Sequence, residues 1–135
     1  MNVASEQEAI TQAFKNYVQT FQTLDPHATA LSFHLPCVFI PPQGVRVLLT
    51  AADVEALLTQ VMDGLKAQGY ARSELVGLQV NRMSGNTALV TVSRVRYATD
   101  GRVLERFGET YTLRKIEGGW KIAVAIIHDP DIVLR

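Results

Sequence analysis

RYATDGRVLERFGETYTLRKIEGGWKIAVAIIHDP, residues 96–130, decides the fold. Apolar and polar residues alternate through it, the period of a half-buried β-strand. Asp100-Gly101 and Gly118-Gly119 interrupt the alternation with hairpin chemistry, and Ser84-Gly85-Asn86 does the same upstream. The spacing predicts four strands, near 72–83, 87–98, 102–116 and 120–129, joined as an antiparallel meander. Register follows by arithmetic. A two-residue turn at Asp100-Gly101 sets Arg96 opposite Glu105, Arg94 opposite Phe107, Val92 opposite Glu109 and Val90 opposite Tyr111. A turn at Gly118-Gly119 sets Tyr111 opposite Ile126, Leu113 opposite Val124 and Glu109 opposite His128. Directly opposite residues share a face. One face then carries Val90, Val92, Phe107, Tyr111, Leu113, Val124 and Ile126, with Arg94, Glu109 and His128 among them. The other, flatter face carries Leu89, Thr91, Ser93, Thr110, Thr112, Ala123, Ala125 and Ile127. A slip of one residue would exchange the faces, and Gly108 is the position where a bulge is expected to do so.

Upstream the period changes to that of a helix. Ser5 and Glu8 form an S-x-x-E box, and Ile10, Phe14, Tyr17, Phe21 and Leu24 follow on one face. Asp25-Pro26 ends this helix and caps a short second one, expected to run to His34-Leu35-Pro36. CVFIPP reads as a strand and VRVLL as a short second one. Thr50 caps a third helix with Asp53 reaching back, apolar at Val54, Leu57, Leu58, Val61, Met62 and Leu65, and Gly69 closes it. Three helices followed by a meander is an α+β pattern in one domain spanning 1–135, with the helices covering one face of a curved sheet. The bulkier face is the one expected to meet them.

Composition narrows the function classes. Hydrophobic residues make up 47% and charged residues 19%, as in globular proteins. Lys+Arg and Asp+Glu balance at 13 each, so the basic excess of a nucleic-acid partner is missing. No window approaches 18 consecutive apolar residues, and the N-terminal stretch lacks the pattern of a secretory signal. Cys37 is the single cysteine. A cytoplasmic protein without membrane or nucleic-acid partners is expected. His27, His34 and His128 are too scattered for a metal site, and no phosphate-cradling glycine loop occurs, so no cofactor is implied.

A carboxylate on the inner face needs partners, because an unpaired charge is costly in an apolar interior. His128 across the strand and Arg94 diagonally are the candidates for Glu109. Glu109 and His128 would make an acid–base dyad, and Tyr17 a donor to a developing oxyanion. A satisfied polar network that merely lines or plugs the pocket is the other reading of these residues. Phe14, Phe21, Phe39, Met62, Val92, Phe107, Tyr111 and Ile126 would shape a pocket for a small apolar ligand, or simply fill the core. Arg94 and Arg96 are expected to pair with Glu105 and Glu109; the alternative is an anionic or carbonyl-bearing ligand. The flatter face around Ala123, Ala125 and Ile127 is expected to make a homodimer.

Four segments together resemble the nuclear-transport-factor-2-like superfamily, which includes ketosteroid isomerases and SnoaL-like polyketide cyclases. They are AFKNYVQTFQTLDPHATALSFH, CVFIPP, TAADVEALLTQVM and GGWKIAVAIIHDPD, and the resemblance covers nearly the whole chain. It implies a cone, a cystatin-like α+β roll whose curved sheet wraps a long helix around a pocket. It implies dimers, and a cofactor-independent isomerase, cyclase or hydratase or a non-catalytic binding module. Tyr17, eight residues before Asp25, matches the isomerases' oxyanion tyrosine, and Glu109 falls where their donor acid lies. Their first-strand base would fall at about Pro41, where this chain has FIPPQG. The cyclases' acid–base residues imply a role for His128.

Overall fold

A computed structural model describes residues 3–132 of the chain. Its elements are α1 (Val3–Gln22), α2 (Pro26–Ala30), β1 (Phe33–Ile40), β2 (Arg46–Leu48), α3 (Ala51–Ala67), β3 (Tyr70–Arg82), β4 (Thr87–Ala98), β5 (Val103–Ile116) and β6 (Gly119–His128). The helical period of the first segment buries Ile10, Phe14, Tyr17 and Phe21 in a single stripe. The helix is already formed at Val3, so Ser5 lies inside it rather than capping it. Asp25 does cap α2, accepting the Ala28 N–H at 3.1 Å, with Pro26 in the first turn. That helix stops at Ala30, short of the expected His34-Leu35-Pro36, because the chain is already pairing: the Ile122 N–H donates to the Ser32 carbonyl and Phe33 sits beside Ile122. Thr50 and Asp53 close a full capping box on α3. The Leu49 and Thr50 N–H groups hold the Asp53 carboxyl below its ordinary range.

The six strands form one curved, unclosed sheet in the order β2-β1-β6-β5-β4-β3. β1 runs parallel to β6, and every other pairing is antiparallel. The α1 and α3 stripes meet the concave face, where Val90, Val92, Tyr111 and Leu113 are buried with them. A second tie joins α1 to the β5–β6 hairpin. Trp120 Nε1–H and Lys115 Nζ donate to the Glu6 carboxylate at 2.8 and 3.0 Å. These bonds, from Lys115 first and then Trp120, lower the Glu6 pKa. Trp120 is thus more than a packing residue beside its turn.

Register decides the rest. Along β4–β5 the pairs are Arg96–Glu105, Arg94–Phe107, Val92–Glu109 and Val90–Tyr111, as the turn arithmetic predicts. Along β5–β6 the arithmetic fails at two places. The turn is Glu117-Gly118, with Ile116 opposite Gly119, which shifts the pairing but keeps the faces. Leu113 pairs with Ile122, but Thr112 pairs with Val124, so Ala123 is an extra residue in β6. Such a bulge advances every later side chain by one position. Tyr111 therefore faces Ala125 and Glu109 faces Ile127, while Ile126 pairs with Thr110 and His128 with Gly108. The bulge lies at Ala123, not at Gly108. Ala125 and Ile127 turn to the concave side, and Val124, Ile126 and His128 turn to the convex one. Glycine at 108 serves a different end. A β-carbon there would stand 2.6 Å from the Asp129 carbonyl oxygen and 2.6 Å from His128 Cε1 and Nδ1. The chain after β6 crosses β5 at this point, and the Ser93 hydroxyl of β4 donates to the Pro130 carbonyl.

Candidate functional site

A cavity of about 240 Å³ opens between the concave sheet, α1 and α3. Helical spacing on α1 brings Tyr17 and Phe21 to it. The β5 alternation brings Glu105, Phe107 and Glu109, and β4 brings Arg96. From β1 come Phe39 and Cys37, from α3 Leu57, Leu58 and Val61, and from β6 beyond the bulge Ala125 and Ile127. The wall is therefore mostly apolar, with its polar groups gathered on β4, β5 and α1 apart from Gln43 in the loop between β1 and β2.

Behind that wall Arg94 is buried, with only 1% of its surface exposed. Its Nε lies 3.0 Å from Glu109 Oε1, and its guanidinium carbon is 5.7 Å from the Tyr17 ring centre and 5.5 Å from that of Phe21. Burial is the strongest single influence and works against the Arg94 charge, but the Glu109 carboxylate and, after it, Tyr111, Tyr17 and Tyr70 together raise the pKa. The need of the inward-facing Glu109 carboxylate for a partner is thus met by Arg94. The ion pair does not align into a hydrogen bond, and Arg94 Nη2 has no hydrogen-bond partner among the described residues. Burial raises the pKa of Tyr17 and Tyr111, against the pull of Arg94. Both phenols keep their protons across the physiological range and stay donors. Nearer the opening, Arg96 Nη1 meets Glu105 Oε2 at 3.2 Å. Burial pushes the Cys37 thiol up to about 11, which leaves it protonated and a poor nucleophile at neutral pH.

Of the residues singled out in the sequence, Tyr17, Phe21, Phe39, Phe107 and Glu109 line the cavity. Phe14, Met62, Val92 and Tyr111 are buried core residues around it. Arg94 stands one layer back. Two candidates do not reach it, and the Ala123 bulge is the reason for both. Ile126 faces the convex side, and so does His128. The His128 Nε2 lies 2.8 Å from the Thr110 hydroxyl, and its Nδ1 lies 2.9 Å from the Asp129 carbonyl. A carbonyl only accepts, so Nδ1 carries the proton and, in the neutral ring, Nε2 accepts from Thr110. The dyad of Glu109 with His128 is not formed: the two side chains stand on opposite faces of the sheet. Ala125 and Ile127, expected on the dimer face, are instead cavity wall. From α3 the sequence offered Met62 for the pocket, whereas the lining comes from Val54, Leu57, Leu58 and Val61. Among the described residues no cluster of His, Cys, Asp and Glu could hold a metal ion.

Residues 5–130 match the family described as NTF2-like protein (DUF6841). The fold is shared with solved structures of low sequence identity. An NTF2-like protein with a cystatin-like fold from Novosphingobium aromaticivorans is 18% identical at a TM-score of 0.78, over 97% of this chain and 86% of that one. A ketosteroid isomerase-like protein from Erwinia carotovora atroseptica is 19% identical at a TM-score of 0.68, over 90% and 94%. An NTF2-like superfamily protein from Salmonella enterica serovar Typhimurium is 17% identical at a TM-score of 0.71, over 98% and 96%. At these identities the likeness establishes the fold. No curated protein sequence matches the chain.

Proposed function

The chain belongs to the NTF2-like family DUF6841, and from that premise we propose that it binds one small, largely apolar carbonyl compound in the cavity beneath α1. The observation that carries this reading is the lining itself. A proton-holding Tyr17 and the carboxylate of Glu109 enter a space walled mainly by Phe21, Phe39, Phe107 and the leucines of α3, with Arg96, Glu105 and Gln43 also on its lining. An apolar pocket with few convergent polar groups is the usual form of a small-molecule site. The volume suits a compact molecule, below the roughly 300–1,000 Å³ of pockets that hold drug-sized ligands. Tyr17 donates to the carbonyl oxygen, and the aromatic walls supply the buried area.

Two readings of that binding part at Glu109. In the first, the protein is a cofactor-independent isomerase, cyclase or hydratase. Glu109 takes a proton from the carbon beside the carbonyl, and Tyr17 stabilises the oxyanion. His128 has no part in it. In the second, Glu109 is the counter-ion of Arg94 and the protein binds without turnover; the 3.0 Å contact and the lack of an acid at Pro41 favour this one. Exchange of the α-protons of acetophenone in D2O separates them. Wild-type catalysis of exchange that Glu109→Gln abolishes establishes the enzyme. Binding without exchange establishes the module. In both, Tyr17→Phe weakens binding by about 3- to 10-fold, the worth of one net hydrogen bond. An acetophenone titration with no change in the cavity resonances would overturn the reading as a whole.

We also infer a cytoplasmic homodimer joined through the sheet. Val45, Val47 and Leu49, in and beside the edge strand β2, are 61–66% exposed. Val47 pairs with Val38 on the face opposite the buried Cys37–Leu48 pair, next to Val124 and Ile126. Such an apolar surface is an interaction site in most soluble proteins. Light scattering at micromolar concentration is expected to give a dimer, and Val47→Asp a monomer. A wild-type monomer contradicts the dimer.

A further inference from the structure

Arg96 is the single cation among the described residues that line the cavity. Its surroundings differ from those of Arg94. Arg94 has a buried counter-ion; the Arg96 partner, Glu105, has a side chain 51% exposed, while the Arg96 side chain is only 12% exposed. The Arg96 Nε is buried with no hydrogen-bond partner among the described residues. The guanidinium carbon lies 4.6 Å from the Phe107 ring centre and 5.4 Å from that of Phe21, and both rings also line the cavity. The guanidinium is therefore held in place by ring faces rather than by its acid. It offers a fixed fork of donors of which Glu105 uses one end, through Nη1.

We propose that the cavity takes a molecule with a carboxylate on its apolar body, and that this carboxylate binds Arg96 in place of Glu105. The proposal rests on the ligand-binding reading of the cavity given above and names the anionic group of the ligand. The competition favours exchange. A half-exposed ion pair is worth little, since water screens it and a long side chain must be held still to keep it. A ligand carboxylate brought in by the burial of its own apolar body meets a guanidinium already ordered between two rings. It can use two N–H groups at once, the stronger, bidentate geometry. Glu105 remains at the cavity as a half-exposed group free to turn to water. Glu109 does not compete, because Arg94 is its partner. Tyr17 is left to donate to a second polar group of the ligand.

The test is a titration, followed by amide and side-chain NMR shifts, with benzoate, phenylacetate and octanoate and with the amide of each. In the wild type the best acid is expected to bind at least about tenfold more tightly than its own amide, the margin of a charge-assisted over a neutral contact. Glu105→Gln is expected to tighten the acid by about two- to fivefold, by removing a competitor of that modest worth, and to leave the amide unchanged. Arg96→Gln is expected to erase the difference between acid and amide. Should that variant not fold, the acid–amide difference and Glu105→Gln decide the matter. Equal affinity of acid and amide in the wild type, or no effect of Glu105→Gln on the acid, overturns the carboxylate and leaves the cavity reading standing. Failure of acids, amides and acetophenone alike overturns both.

Discussion

Glu109→Leu alone is expected to destabilise the protein by about 3–5 kcal/mol, because it leaves the buried guanidinium of Arg94 without its counter-ion. For a domain of this length that is a fall in melting temperature of roughly 10–20 °C. The argument turns on burial. Arg94 is 1% exposed and Glu109 5%, so neither charge can recover hydration when the other is removed. The rings of Tyr17 and Phe21 stand more than 5 Å from the guanidinium carbon and offset only part of the loss. Glu109→Leu with Arg94→Met is expected to regain most of the loss, since well-packed apolar residues replace a buried pair at little net cost. Urea unfolding of the two single variants and the double variant measures the coupling. A Glu109→Leu cost below about 1 kcal/mol would mean that Arg94 finds water or another acid, and the pair would lose its place in the account. The same cycle informs the functional reading. A strongly coupled Glu109 is first a counter-ion, and any proton transfer must be compatible with that.

The second large effect is expected on the opposite face. In Gly108→Val a β-carbon would fall 2.6 Å from both the Asp129 carbonyl oxygen and the His128 ring. One partner is backbone, so a rotamer change cannot relieve the overlap. The segment from His128 to Pro130 must lift off the sheet, giving up the Thr110–His128 contact of 2.8 Å and the bond from Ser93 to Pro130. A cost of about 1–3 kcal/mol follows, in the range of other overpacked sites. Amide hydrogen exchange should quicken at residues 127–130 and stay unchanged at the cavity wall on α1 and α3. Unaltered stability and His128 ring shifts in Gly108→Val would show that the segment does not cross β5 there.

The difference between the two hairpins shows what a sequence can carry. Nothing interrupts the β4–β5 ladder between Arg96 and Thr87, and the one irregularity beside the turn, between Tyr97 and Arg96, restores the register that a two-residue turn at Asp100-Gly101 sets. In β6 the run IAVAII is apolar on both faces, so no alternation marks the correct phase, and Ala123 leaves no compositional sign of a bulge. The turn at Glu117-Gly118 already separated Glu109 from His128 in the pairing, and the bulge then put His128 on the opposite face and brought Ala125 and Ile127 into the cavity. The pairing of Glu109 with Arg94 was legible, since both lie upstream of the error. Tyr17 was legible from the helical stripe of α1. The premature end of α2 was not, because the strand that replaces it exists only through pairing with Ile122, a contact between residues distant in sequence. The cavity was illegible for a related reason: an apolar stripe such as that of α3 reads the same whether it meets other side chains or an open space.

The bulge in β6 turns Ala125 into the cavity and Ile126 out of it. Acetophenone and phenylacetate titrations of Ala125→Phe and Ile126→Phe test this at two adjacent positions. Ala125→Phe is expected to fill the cavity and weaken binding of whichever probe the wild type takes up by more than about tenfold, while Ile126→Phe changes it by less than about twofold. Equal losses in the two variants, or a loss confined to Ile126→Phe, would contradict it.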